Sequence, residues 1–143
     1  MDELNKMFKD YLNITKEERT VIALEASNNL VSLLELMFED EPLYEAYLQI
    51  YAVLCCADDE IKYEEYELFL DITGANVSYD DFYNAMRVNQ ENLNIDEFFN
   101  FVNEQEQDFI GYICVLAVCV FTCDGSFDEC EYNLINKYLL LQE

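Results

Sequence analysis

The sequence predicts an all-α fold, a compact single-domain bundle of seven or eight helices. Apolar residues recur mainly at spacings of three and four, which is the period of an amphipathic helix. Glycine occurs only three times and proline once in 143 residues, so few positions interrupt the helices. The hydrophobic content of 52% supplies apolar side chains for one core, which argues against a disordered chain despite its high charge.

Two helices are expected in the first part of the chain. The first covers roughly residues 3–12. Thr15 and Glu18 have the spacing of a capping box, in which each side chain accepts from the other residue's backbone N–H, and this box opens a second helix that extends to about residue 38. The apolar stripe of the second helix is predicted to comprise Val21, Leu24, Leu30, Leu34 and Met37.

The third and fourth helices flank the first of two acidic loops. Pro42 suits the first position of the third helix, where its missing N–H is not needed, and the apolar periodicity continues to Ala57. The fourth helix is expected from about Tyr63 to Gly74, a residue that readily adopts the left-handed conformation of a helix stop. The expected inward-facing residues are Leu43, Tyr47, Ile50, Tyr51, Leu54, Leu68, Phe69 and Ile72.

Two short helices follow, each opened by a capping pair. Ser78 with Asp81 begins one, and Asn94 with Glu97 begins the other. Residues 87–93 are polar and rich in asparagine, so we expect them to form the connection. The apolar residues of the two helices are Phe82, Met86, Phe98, Phe99 and Val102.

The most apolar part of the chain predicts the central helix, over about residues 107–122. Its apolar stretch, residues 110–121, is shorter than the roughly 20 residues that span a bilayer, which favours a buried core helix over a membrane anchor. A last helix is expected from about Glu129.

The charge is strongly negative, with 31 acids against 7 bases and a formal net charge of −24. Such a field repels nucleic acid, which is bound through neutralisation of its phosphates, and it repels anionic lipid. It attracts divalent cations and basic proteins. High net charge is also a common means of solubility, so it does not by itself define a site.

The chain has six cysteines and no histidine. Without histidine, Ser-His and Cys-His catalytic pairs cannot form within the chain. The thiols lie in apolar helical segments, and the first 20 residues hold no apolar segment of a secretory signal, so we expect a cytoplasmic protein with reduced cysteines. Core packing is favoured over a thiolate zinc site, because no CxxC pair is present. The cysteines are Cys55, Cys56, Cys114, Cys119, Cys123 and Cys130.

One acidic pattern occurs twice, 66 residues apart. Asp58 opens the first copy and Glu65 follows seven residues later; Asp124 and Glu131 stand in the same relation in the second. This predicts an internal pseudo-two-fold helix-loop-helix repeat. An EF-hand has the same interval between its fifth and twelfth positions, but the first half of such a loop is missing from both copies. Asp and Glu oxygens converging from two loops would suit Ca²⁺ or Mg²⁺.

The repeated segments, LCCADDEIKYEEYELF and FTCDGSFDECEYNLI, resemble the tellurite-resistance TerB-like family over about residues 40–142. The resemblance implies an acidic all-helical domain over residues 40–143, with residues 1–39 as a helical extension packed on it. It also implies a bacterial stress-response or defence setting, no catalysis, and divalent-metal binding by Asp58, Glu65, Asp124 and Glu131. Asp59 departs from the family's usual glycine, which leaves the turn of the first copy in doubt.

Simpler roles for these acids remain open at the level of sequence. Asp58 and Asp124 can act as caps of the helices that follow them, and Glu65 and Glu131 can be solvated first-turn acids. We therefore expect a non-catalytic module that binds a divalent cation, a basic protein partner, or both. The alternative is an acidic inhibitor, immunity or nucleic-acid-mimic protein that blocks a basic protein surface. Acids clustered at the two loops would favour the cation, and acids spread along one face would favour mimicry.

Overall fold

The structure is a computed structural model, and it describes residues 2–37, 43–55, 61–92, 94–125, 131, 133 and 134. These residues form seven helices and no strand, which confirms the predicted all-α class. The helices are α1 (Asp2–Asn13), α2 (Lys16–Met37), α3 (Leu43–Cys55), α4 (Tyr63–Thr73), α5 (Tyr79–Asn92), α6 (Ile95–Asn103) and α7 (Gln107–Thr122).

The predicted capping signals define several helix ends. The Thr15 N–H donates to Glu18 Oε1 and the Glu18 N–H donates to Thr15 Oγ1, both at 3.0 Å, so the capping box before α2 is present. Asn94 Oδ1 accepts from the Glu97 N–H at the start of α6, at 3.1 Å. Gly74 ends α4 with a φ of 70°, in the left-handed region that favours glycine. These capping residues are found where the sequence predicts them because each one satisfies backbone groups that a helix end leaves unpaired.

The predicted connection over residues 87–93 is wrong, because α5 continues to Asn92. Arg87 Nη1 donates to Gln90 Oε1 one turn later at 3.2 Å, and Gln90 Nε2 donates to the Ala52 carbonyl of α3 at 3.2 Å. The polar residues of this segment therefore fasten the second half of α5 to α3. The polar composition of residues 87–93 suggested a loop, although the segment contains neither glycine nor proline.

The centre of the bundle is α7, which packs against α1, α2, α3 and α6. Its second half is buried on every side, with Leu116 to Thr122 exposing at most 1% of their surface. Phe121 of α7 stacks on Phe8 of α1, with ring centroids 6.4 Å apart. A helix that is apolar around its whole circumference fits this central position.

The predicted apolar stripe of α2 is only partly correct. Leu30 and Leu34 are buried, but Val21 is 63% exposed and Leu24 37% exposed. Val21 and Leu30 are nine residues apart, which places them on roughly opposite sides of a helix with 3.6 residues per turn. The face of α2 toward the core instead uses small residues, Ala23, Ala26 and Ser27. Val21 and Leu24 therefore form an exposed apolar strip on the outer face of α2.

An aromatic cluster fills the space between α3, α4 and α5. Tyr51 lies at its centre and is fully buried, with its ring centroid 5.1 Å from Phe69 and 6.2 Å from Phe82. Phe69 and Phe82 are themselves 5.2 Å apart. Because this cluster fixes α4 against α3, it also fixes the position of the residues at the start of α4.

Several predictions concern residues outside those described. They include Pro42, Asp58, the loop residues 56–60 and 126–130, and most of the last helix, of which residues 131, 133 and 134 are helical. The internal repeat and the division at residue 39 accordingly stay predictions. In the described part of the chain, no helix combines the length and the apolar character needed to cross a bilayer.

Candidate functional site

A lysine brings the two acidic segments together. Lys62 precedes α4, in the first segment, and its Nζ lies 3.0 Å from Asp124 Oδ2 and 3.9 Å from Glu131 Oε2, both in the second. The three side chains are 18%, 16% and 2% exposed, respectively. We call Lys62, Glu65, Asp124 and Glu131 the acidic corner. Its ammonium group holds two carboxylates from a distant part of the chain in a largely buried ion pair.

Glu65 belongs to the corner through the backbone of Lys62. Its Oε1 accepts from the Lys62 N–H at 2.8 Å, which caps the first turn of α4. The Tyr51 hydroxyl donates to the Glu65 carbonyl at 2.7 Å, so the aromatic cluster holds the same turn from inside. A carboxylate at this position also interacts favourably with the helix dipole.

Asp124 is presented by a turn that ends α7. The Gly125 N–H donates to the Thr122 carbonyl at 3.0 Å, and Gly125 has a φ of 86°. Only glycine adopts this left-handed conformation without strain. Glycine after Asp124 thus permits this turn, and the turn directs the Asp124 carboxylate toward Lys62 across the bundle.

Two thiols, one within α7 and one at its end, are held protonated. Burial raises the pKa of Cys119 to about 12, against the opposing effect of the Arg19 guanidinium. The pKa of Cys123 is raised well above its usual range, first by burial and then by the carboxylates of Glu65 and Asp124. Because the thiolate is the nucleophile and the metal ligand, neither residue suits thiol chemistry near neutral pH.

The Cys119 thiol should make the protein sensitive to alkali. Its pKa is about 12 when folded, against an ordinary value of 9.0, so the folded chain keeps a proton that the unfolded chain loses. The resulting contribution to stability is fully present below pH 9 and is lost as the pH rises toward 12. Between pH 8 and pH 10, we expect the native protein to lose about 1.4 kcal/mol more free energy of unfolding than a Cys119→Ala variant. Urea denaturation at both pH values measures this, and equal losses in the two proteins would contradict a buried neutral thiol.

Arg19 is a second buried cation and lies on the neighbouring part of α2. It is 7% exposed; its Nε donates to Thr122 Oγ1 at 3.2 Å and its Nη2 donates to the Tyr11 carbonyl. Arg19 therefore ties α1 and α2 to the end of α7, immediately before the turn that carries Asp124. These hydrogen bonds to neutral oxygens give it a structural role beside the corner.

Three of the four predicted site residues meet at this corner. Glu65, Asp124 and Glu131 come together around Lys62, and Asp58 lies outside the described residues. The alternative of solvated first-turn acids is wrong for Glu65 and Glu131, since each is only 1% exposed. The residue that sequence reasoning missed is Lys62. A signal was present, because Lys62 is the only base in the two repeated segments.

The oxygen donors of the corner suit a hard cation such as Ca²⁺ or Mg²⁺ in kind. In their present arrangement, however, the Lys62 ammonium takes the place between Asp124 and Glu131 that such an ion would need. Within residues 2–37, 43–55, 61–92, 94–125, 131, 133 and 134, no group of three or more acidic or thiol side chains has the geometry of a metal site. A divalent ion at the corner would therefore have to displace Lys62.

The comparisons with known proteins add no relative. The TerB-like resemblance consequently remains a prediction from the repeated segments alone. The chain matches no protein-family model, and no curated protein and no solved structure is significantly similar to it.

Proposed function

We propose that this protein is a non-catalytic acidic module that binds a basic protein partner. The observation that supports this most directly is where the acids lie. Carboxylates of the corner are engaged with Lys62, whereas most other described acids face solvent on several sides of the bundle. Exposed examples occur on α1, α2, α4, α5, α6 and α7: Asp10, Glu17, Glu64, Asp80, Asp96 and Asp108.

Many of the exposed acids lie in the first turns of helices. Acids occupy the first turn of α2, α4, α5, α6 and α7, and none of the seven helices has a base in its last turn. First-turn acids are stabilised by the positive end of the helix dipole, so the fold tolerates their mutual repulsion. The summed field attracts a basic surface and accelerates its encounter with the protein. This distribution supports a basic protein partner.

A divalent cation at the acidic corner is the second candidate. It is supported by two carboxylates, those of Glu65 and Glu131, that the fold has buried despite the cost of desolvation. In this alternative Ca²⁺ or Mg²⁺ would replace the Lys62 ammonium between Asp124 and Glu131. Removal of Lys62 should then strengthen metal binding.

A stress-response or defence setting is part of the proposal and is based on the TerB-like resemblance. The inhibitor or immunity alternative shares the basic partner and differs in its consequence, since the partner would be an enzyme that is blocked. Both versions of the proposal require the acidic surface to be available to a protein. Neither assigns a catalytic residue.

Calorimetric titrations distinguish the two candidates. We expect a lysine-rich 18-residue peptide to bind saturably in 20 mM NaCl, and millimolar CaCl₂ or MgCl₂ to give no more heat than NaCl of equal ionic strength. Absence of peptide binding in 20 mM NaCl would contradict the basic-partner proposal. Saturable heat from CaCl₂ that increases in a Lys62→Met variant would favour the metal site instead.

A further inference from the structure

We propose that the groove between α2 and α4 is the docking site of the partner and that it accepts a basic amphipathic helix. This inference depends on the proposed function, because it names the surface and the type of segment through which a basic partner binds. It is carried by three features of the groove, which are its shape, its exposed apolar strip and its acidic rim.

The groove follows two helices that run in the same direction. Near its beginning, Thr20 of α2 and Leu68 of α4 line a small recess. Farther along, Val31 of α2 and Ile72 of α4 line a larger open recess, with Tyr47 at its inner side. The low-numbered parts of both helices thus share one recess and the high-numbered parts share the other. Thr20 and Val31 are eleven residues apart, which corresponds to about 16 Å, or three helical turns.

The α2 side of the groove borders an exposed apolar strip, of which Val31 lines the second recess and Leu24 lies seven residues earlier on the same face of the helix. Val21, Leu24 and Val31 lie on one face, at spacings of three and seven residues. Val21 is 63% exposed and Leu24 37% exposed, so they are not part of the core. Val21 and Leu24 were predicted from the sequence to face inward, and their exposure is a cost that burial against a partner would remove.

Acids border this strip. On α4, Glu64, Glu67 and Asp71 follow one another at spacings of three and four, and all three side chains reach solvent. On α2, Glu17 and Glu35 lie at the two ends of the same face as Leu24 and are exposed. Acidic side chains therefore border the apolar strip along one side and at both ends.

The rim already binds a lysine of the same chain. Lys16 Nζ lies 4.0 Å from Glu67 Oε2, with side chains 63% and 41% exposed. The guanidinium of Arg19 also lines the first recess, but it is engaged with Thr122 and Tyr11. Against these two cations the groove carries the five acids of its rim, so its net charge is negative. An acidic peptide or a nucleic acid is repelled there, whereas a helix with apolar residues at i, i+3, i+4 and i+7 and flanking lysines matches it.

The test uses two synthetic 18-residue peptides of identical composition, with equal numbers of leucine and lysine. One has leucines at helical spacing, and the other is scrambled so that no apolar face forms. We expect the amphipathic peptide to bind the native protein at least about tenfold more tightly than the scrambled one, by fluorescence anisotropy in 100 mM NaCl. Similar affinities for the two peptides would contradict docking in the groove and leave the basic-partner proposal intact.

Protein variants locate the binding. Glu64→Gln, Glu67→Gln and Asp71→Asn together remove three rim charges and should weaken the amphipathic peptide about tenfold, which is about 1.4 kcal/mol. The matched control, Glu91→Gln with Glu104→Gln and Glu106→Gln, removes the same charge from exposed positions on other elements and should change the affinity less than about threefold. Equal weakening in the two triple variants would contradict docking in the groove. Circular dichroism confirms that each variant is folded.

The apolar strip is tested separately. Leu24→Ala leaves the charge unchanged, and we expect it to weaken the amphipathic peptide about fivefold and the scrambled peptide not at all. Equal affinities of Leu24→Ala and native protein for the amphipathic peptide would overturn the assignment of α2. If neither peptide binds the native protein even in 20 mM NaCl, the proposed function itself fails, and that result is distinct from failure of the groove alone.

Discussion

Replacing Lys62 with methionine should lower the free energy of unfolding by about 3 kcal/mol. The substitution keeps an unbranched apolar side chain one atom shorter but removes the ammonium that lies 3.0 Å from Asp124 and 3.9 Å from Glu131. Because Glu131 is 1% exposed, its charge would lose this partner in a site that water does not reach. Removing one partner of a buried pair typically costs about 3–5 kcal/mol, and the partial exposure of Lys62 argues for the lower end.

The control for Lys62→Met is Lys16→Met. Lys16 also faces a carboxylate, that of Glu67 at 4.0 Å, but both side chains are largely exposed. We expect this control to cost less than about 0.5 kcal/mol, as surface pairs generally do. Urea denaturation of the two variants and the native protein gives the comparison. Similar losses for Lys62→Met and Lys16→Met would contradict a structural role for the corner.

Truncation of Phe69 should have the other large effect. Phe69 is 1% exposed and contacts Tyr51 and Phe82 in the aromatic cluster. Phe69→Ala should lower the free energy of unfolding by about 3–5 kcal/mol, since it removes a buried ring and leaves a cavity. The cluster supports the Tyr51 hydroxyl that bonds the Glu65 carbonyl, so the corner should loosen as well.

Tyr63→Ala is the matched control for Phe69→Ala. Tyr63 lies on the same helix and also contacts aromatic rings, but it is 54% exposed. We expect the free energy of unfolding to fall by about 1 kcal/mol, because the Tyr63 ring is already half exposed and buries little apolar surface on folding. Chemical denaturation measures both variants. A loss for Phe69→Ala no larger than that for Tyr63→Ala would mean that the cluster is not the packing centre of α3, α4 and α5.

Helix boundaries were largely predictable from the sequence, because they depend on local backbone chemistry. The Thr15–Glu18 box and the Asn94 cap satisfy N–H groups within three residues, and Gly74 supplies a left-handed stop. Burial was less predictable, since it depends on which elements surround a helix. In α2, the small residue Ala23 is buried, whereas the neighbouring larger residue Leu24 is 37% exposed.

The candidate site was likewise predictable in its local features and not in its long-range contacts. The acids Glu65, Asp124 and Glu131 could be named from the sequence, because the same seven-residue interval from Asp to Glu occurs in both segments. The pairing of Asp124 and Glu131 with Lys62 was not predicted, although Lys62 is the only base in the repeated segments, because the lysine meets these acids only where the last part of the chain packs against the start of α4. The sequence therefore indicated where negative charge accumulates but not how the fold neutralises it.

The consequence for function is that the corner and the groove have different roles. At the corner, Lys62 neutralises acids of the second repeated segment and ties them to the start of α4. Along the groove, Glu64, Glu67 and Asp71 stay in solvent beside apolar side chains. We infer that the first arrangement stabilises the fold and that the second recognises a partner.

The most direct test of the structural role of the corner is a double-mutant cycle between Lys62→Met and Asp124→Asn. Each single substitution removes one side of the contact, and the double variant removes both, so the cycle isolates the interaction between the two side chains. We expect a coupling free energy of about 1.5 kcal/mol from urea denaturation at pH 7. A coupling within about 0.3 kcal/mol of zero would show that Lys62 does not hold the second acidic segment.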